Sequence, residues 1–292
     1  MLLFQTCATS FASNEKTIVF GSDLDAAVQI ENSCKFADTV KVLNNNTNGN
    51  KSDLHLSYYF GEMGEQMPFR VCLPADWDGK SQLPMVMFLH GAWNTESSYL
   101  DQDDTLMVRL ANKHNMILVS PLGGHGAYGT NLRLPAGFGK DAENEKMLGA
   151  TITPERAQEQ RLSEKDVINV IEIVLKNYPV DRTNMFLMGH SMGSGGTWYI
   201  GAKYNTYWKA IAPMSGPFVT ETGYPWNVLK DKPIYITEGT QAVSLDASRK
   251  LYEWLRGQGY NVSYKEVEAD HPGMVPLVLP GVFDFFDTAI GK

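Results

Sequence analysis

The sequence predicts an α/β fold: a mostly parallel central sheet with helices on both faces and an N-terminal β extension. From Leu83 onward, short apolar runs alternate with amphipathic stretches, the pattern of buried parallel strands joined by helices. From Glu15 to about Gly79, β-forming runs are broken by turn residues, with no helical period between them. Between these patterns in kind, Gly189-His190-Ser191-Met192-Gly193 joins an apolar run to a glycine-rich helical one, where the chain reverses sharply and presents a serine.

Taken in order, strands are predicted at 17–20, 39–43, 54–60 and 67–73, with the asparagine-rich stretch 44–50 as a loop. In the α/β part, strands are expected at 85–89, 116–120, 184–188, 210–213, 234–237 and 262–267. Ser163 to Lys176 reads as a helix, with a Ser-x-x-Asp start and Val167, Ile171, Val174 and Leu175 along one stripe. Further helices are expected over 246–256 and 275–288. Pro121 to about Gln160 reads as a long irregular passage, of the kind that shapes a substrate site. Residues 1–66 form an N-terminal segment and β extension of the same domain, and 67–292 form the catalytic part.

Composition narrows the function. With 292 residues and 43% apolar content the chain can bury one large core. Its net charge of −8 and lack of a basic run exclude a nucleic-acid partner. No stretch is long enough to span a bilayer, and no His/Asp/Glu cluster has metal-ligand spacing, so neither a metal nor any other cofactor is expected. The three cysteines, Cys7, Cys34 and Cys72, read as buried or free thiols, with a Cys34 to Cys72 disulfide available only if the protein is exported. The N-terminus lacks a positive leading region and its apolar run is short, which reads as cytoplasmic as written; secretion follows if it is a signal remnant. Oligomeric state is not legible.

The chemistry is assembled by asking which polar residues follow strand ends. Ser191 is the candidate nucleophile, and the Met192 N–H beside it is a candidate oxyanion donor. His90-Gly91-Ala92-Trp93 follows the strand ending at Leu89; Gly91 lets the backbone turn so that the N–H of Ala92 or Trp93 supplies a second donor, and His90 braces the loop. Elbows of this kind keep the chain order serine, acid, histidine, and of six histidines only His271 lies beyond Ser191. An imidazole base needs a carboxylate to fix its tautomer. Asp231 precedes its strand, Glu253 lies in a helix body, Glu266 and Glu268 in the last strand, and Asp270 adjoins His271 too closely. Glu238, at a strand's carboxyl end, is preferred; Asp246, which also looks like a helix N-cap, is the alternative. Trp93, His125 and Tyr128 are candidate substrate contacts.

Phe88-Leu89-His90-Gly91, the Gly189 to Trp198 stretch, Ala210-Ile211-Ala212-Pro213-Met214-Ser215-Gly216 and Asp270-His271 resemble α/β-hydrolase esterases of the prolyl-oligopeptidase-like group, which includes feruloyl esterases and polyhydroxyalkanoate depolymerase-like enzymes. The resemblance runs from about Met67 to the end. It implies an α/β-hydrolase fold and a serine carboxylic ester hydrolase acting through an acyl-serine intermediate, on feruloyl-type or other short acyl esters, small or polymer-linked. The group usually places an aspartate where this chain has Ala242, which leaves the acid open. That gap motivates an alternative, an impaired scaffold serving as a binding module; a small serine peptidase is the rival within enzymes.

Overall fold

The computed structural model describes residues 41–45, 52–124, 126–130, 154–219, 221 and 224–291. Nine strands form one sheet: β1 (Lys41–Asn45), β2 (Asp53–Phe60), β3 (Glu65–Cys72), β4 (Leu83–Leu89), β5 (Ile117–Pro121), β6 (Val180–His190), β7 (Ala210–Met214), β8 (Ile234–Gly239) and β9 (Val262–Val267). Their order is β1-β2-β3-β5-β4-β6-β7-β8-β9. Pairing is antiparallel from β1 to β5 and parallel from β5 through β9. The β2–β3 hairpin adds the N-terminal strands to this sheet, which runs unbroken past residue 66.

Five helices cover it: α1 (Leu106–Lys113), α2 (Pro154–Asn177), α3 (Met192–Lys203), α4 (Leu245–Gly257) and α5 (Met274–Ile290). Side-chain alternation explains the two cores. On β4, Met85, Met87 and Leu89 join the core under α2, α3 and α4, while Val86 and Phe88 join the core under α1 and α5. On β6, Met185 and Leu187 divide from Phe186 and Met188 in the same way. Because both faces are covered, these strands read as continuous apolar runs rather than as alternating ones.

Several expectations need correction. Asn44 and Asn45, read as loop, pair with His55 and Leu54 after a bulge, so β1 runs into the asparagine tract. Helix α1 carries no side-chain N-cap bond and follows three left-handed residues, Asp103, Asp104 and Thr105, so the usual start signal is absent. Helix α2 begins at Pro154, nine residues before the expected Ser163, using proline where a first-turn N–H has no partner. Ser163 lies inside that helix, its hydroxyl donating to the Gly123 carbonyl and accepting from the Tyr128 N–H. The capping pattern was therefore a tether to the loop after β5. The strand expected at 17–20 lies outside the described residues. Cys72 is a buried free thiol whose Sγ donates to Asp53, and Cys34 lies outside the described residues.

Candidate active site

The parallel strands end on one edge, and the reactive groups collect there. Between β6 and α3, Ser191 has φ 57° and ψ −118°, a strained left-handed backbone for a residue with a side chain. Its N–H donates to the Met214 carbonyl at 3.0 Å, and its carbonyl accepts from Ser194 N–H at 2.8 Å. Close approach dictates the flanking glycines. A Cβ at Gly189 would lie 2.3 Å from the Gly193 carbonyl oxygen, and one at Gly193 would lie 1.9 Å from that of Leu89. Helix α3 starts at Met192, whose N–H has no intrahelical acceptor in the first turn and carries the positive end of the helix dipole.

The loop after β4 packs against this elbow. A Cβ at Gly91 would stand 3.5 Å from Ser191 Cβ and 2.6 Å from the Tyr99 hydroxyl, so only glycine brings the loop so near. Trp93 is left-handed (φ 61°), Asn94 N–H bonds the Gly91 carbonyl, and Asn94 Nδ2 donates to the Ala92 carbonyl at 2.9 Å. Among the described residues, the N–H groups of Ala92 and Trp93 donate no hydrogen bond. The Trp93 side chain is 91% exposed. His90 is buried between two carbonyls, its Nδ1 2.8 Å from Gly91 O and its Nε2 2.7 Å from Leu122 O; burial lowers its pKa.

His271 follows β9 and precedes α5. Its Nδ1 is 2.6 Å from Ser215 Oγ, and that hydroxyl donates to Glu238 Oε1 at 2.7 Å. Glu238 is fully buried at the end of β8, and its Oε2 accepts from Ser244 Oγ (2.8 Å), Ser248 Oγ (2.7 Å) and Gly216 N–H (3.1 Å). Burial lowers the His271 pKa, while the Glu238 and Asp270 carboxylates pull it back up. The Asp270 carboxylate itself accepts from Gly273 N–H.

His190 ties the base to the oxyanion loop. Its ring lies 4.6 Å from the His271 ring, and burial, with the neighbouring imidazole, pushes its pKa down to about 3. The neutral ring carries one proton. Because Nε2 faces the His271 carbonyl at 2.9 Å and a carbonyl only accepts, the proton is on Nε2. Nδ1 then accepts from the Tyr99 hydroxyl at 2.7 Å. Tyr99 also bonds the Gly91 backbone, and burial moves its pKa up to about 12.

The structure thus gathers Ser191, Met192, Gly91 to Trp93, His271 and Glu238 at one strand edge. It separates Asp246, whose side chain is 98% exposed in the first turn of α4 beside Arg249; Ser244, not Asp246, is the residue preceding that helix. Tyr128 is corrected from substrate contact to internal brace. It is fully buried, its hydroxyl donates to the His90 carbonyl, and its ring packs where Gly123 and Gly196 lack side chains. His125 lies outside the described residues. Sequence reasoning missed Ser215, Tyr99, Ser244 and Ser248. Ser244 and Ser248 stand one helical turn apart directly after the Glu238 loop, a spacing that signals two hydroxyls on one face. Among the described residues there is no group of metal-ligating side chains, and no helix is long and apolar enough to cross a membrane.

A parallel sheet covered on both faces, with a serine elbow, a glycine loop and a histidine at successive strand ends, defines an α/β-hydrolase. The chain belongs to the Esterase family, whose model matches residues 61–253, and is a serine carboxylic ester hydrolase. An S-formylglutathione hydrolase from Staphylococcus aureus is similar in structure, with a TM-score of 0.62 at 17% identity over 80% of this chain and 95% of that one. A fluorophosphonate-binding serine hydrolase from the same species gives 0.60 at 18% identity, over 80% and 97%. A ferulic acid esterase from the anaerobic fungus Anaeromyces mucronatus gives 0.56 at 22% identity, over 81% and 89%. At these identities the likeness is one of fold. No curated protein matches the chain in sequence.

Proposed function

We propose that Ser191 is the nucleophile, His271 the general base and acid, and Glu238 the carboxylate that supports it, in the hydrolysis of short or feruloyl-type acyl esters. His271 Nε2 takes the Ser191 hydroxyl proton as Oγ bonds to the acyl carbon, and the carbonyl electron pair moves onto oxygen. The N–H groups of Met192 and of Ala92 or Trp93 stabilise that oxyanion; loss of one such donor typically costs about 3 kcal/mol of transition-state stabilisation. The proton then passes from Nε2 to the leaving alkoxide as the C–O bond breaks. Water, deprotonated by the same nitrogen, attacks the acyl-serine and releases the acid.

The observation that carries this reading is the strained Ser191 backbone set against Gly91, with His271 held one ring away on His190. The acyl preference draws support from the feruloyl esterases among the structural neighbours and from the 91% exposed Trp93 on the oxyanion loop, an aromatic surface free to meet an acyl group. A panel of acetyl, butyryl and feruloyl esters tests it. The expected result is turnover of at least one of these and none in Ser191→Ala; undiminished turnover in that variant overturns the assignment.

A further inference from the structure

We propose that Ser215 is a positioning residue through which Glu238 acts on His271, so that acid and base communicate across a buried hydroxyl rather than by direct contact. The inference rests on the esterase reading above and deepens it.

Every group that meets the Glu238 carboxylate is a donor. Ser215 O–H and Gly239 N–H address Oε1; Gly216 N–H, Ser244 O–H and Ser248 O–H address Oε2. A carboxylate has no proton to offer, so the single Ser215 proton is directed at Glu238. Ser215 Oγ is then an acceptor on its other side, and His271 Nδ1, 2.6 Å away, must be the donor. The reverse assignment, with the Ser215 proton on the imidazole side, leaves two acceptor oxygens 2.7 Å apart with nothing between them. The relay therefore fixes the neutral His271 ring as its Nδ1–H tautomer and leaves Nε2 bare, which is the form a general base needs. When the ring takes the Ser191 proton, Nδ1–H still donates to Ser215, and the whole dipole chain points at the carboxylate. No proton reaches Glu238.

The backbone is built to hold this hydroxyl. Ser215 directly follows β7 with φ 58°, its N–H donates to the Thr237 carbonyl at 2.9 Å, and the residue is 1% exposed. Burial keeps water from replacing it cheaply.

The test uses the full-length protein with a p-nitrophenyl ester, and variants Ser215→Ala, Glu238→Gln and their combination. Ser215→Gly serves as a second variant that removes Oγ while relieving the left-handed backbone, so that poor folding of the alanine form does not end the experiment. The relay predicts that kcat falls about 100-fold to 1000-fold in either Ser215 variant, with KM changed less than about threefold. Residues acting as one unit are not additive, so the double variant should fall no more than about threefold below the weaker single one. The 15N shifts of the His271 ring should report the Nδ1–H tautomer in the wild type and a loss of that bias in both Ser215 variants. A merely structural role would leave the tautomer unmoved and multiply the two kinetic losses. Near wild-type kcat in Ser215→Gly, or an Nε2–H tautomer in the wild type, overturns the relay. Failure of a fluorophosphonate to label Ser191 in the wild type instead overturns the esterase reading; labelling at Ser191 with unaltered Ser215 variants overturns the relay alone.

Discussion

Ser191 and Ser215 stand at the ends of neighbouring parallel strands in nearly the same backbone state, φ 57° and 58°. Each donates its N–H to the carbonyl ending the next part of the sheet, Ser191 to Met214 and Ser215 to Thr237, at 3.0 and 2.9 Å. Their surroundings differ. Ser191 is half-buried, backed by a helix start and faced by Gly91, while Ser215 is buried with its hydroxyl committed between His271 and Glu238. One strained turn thus serves two purposes, and what surrounds the oxygen decides which: an open side gives a nucleophile, a closed one gives a relay.

The comparison can be broken most severely at Ser191. Ser191→Ala should lower kcat by about 10^6-fold, and steady-state kinetics with an active-site titration check this. Glu238→Gln comes next, at about 1000-fold to 10,000-fold in kcat. Because the Glu238 charge raises the His271 pKa against burial, its removal should move the acidic limb of the kcat/KM profile to lower pH. The wild-type limb should itself lie below the ordinary histidine value of 6.5, since burial is the largest influence on that ring. Gly193→Ala tests the elbow's packing. Its Cβ meets the Leu89 carbonyl, and an overpacking penalty on the order of 3 kcal/mol should lower the melting temperature by about 6 to 12 °C.

A smaller effect concerns the ring between the two serines. The His190 pKa is about 3 when folded and near 6.5 when unfolded, so between those values the unfolded chain binds the extra proton. Stability from this ring is present above pH 6.5 and is lost as pH falls, at up to about 1.4 kcal/mol per pH unit. In urea unfolding, the gap between wild type and His190→Asn should therefore narrow as the pH drops from 7 towards 4. Asp246→Asn, on the exposed turn of α4, should change kcat less than about twofold.

What the sequence discloses follows from where the physical constraint lies. Gly189, Gly193 and Gly91 are forced by backbone contacts under 3 Å or against a fixed hydroxyl, so the elbow and its loop leave a local signature. His271 was found by chain order, because no other histidine follows Ser191. Glu238 was preferred for its strand-end position, yet its partners come from Ser215, Ser244 and Ser248 on three separate segments, and no spacing connects the first to the others. Tyr128 was misread because aromatic residues in glycine-rich loops look alike in sequence whether they face solvent or fill a gap; here Gly123 and Gly196 make that gap. The alternating apolar runs fixed the sheet well, and only α1, with left-handed residues in place of a cap, gave no starting signal.

The most direct measurement is peptide mapping by mass spectrometry after brief exposure of the folded protein to a fluorophosphonate. One adduct per chain on Ser191, with Ser215 unmodified and labelling lost in His271→Ala, is the predicted result. An adduct on Ser215, or a folded wild type that takes up no probe at Ser191, would contradict the assignment of the two serines.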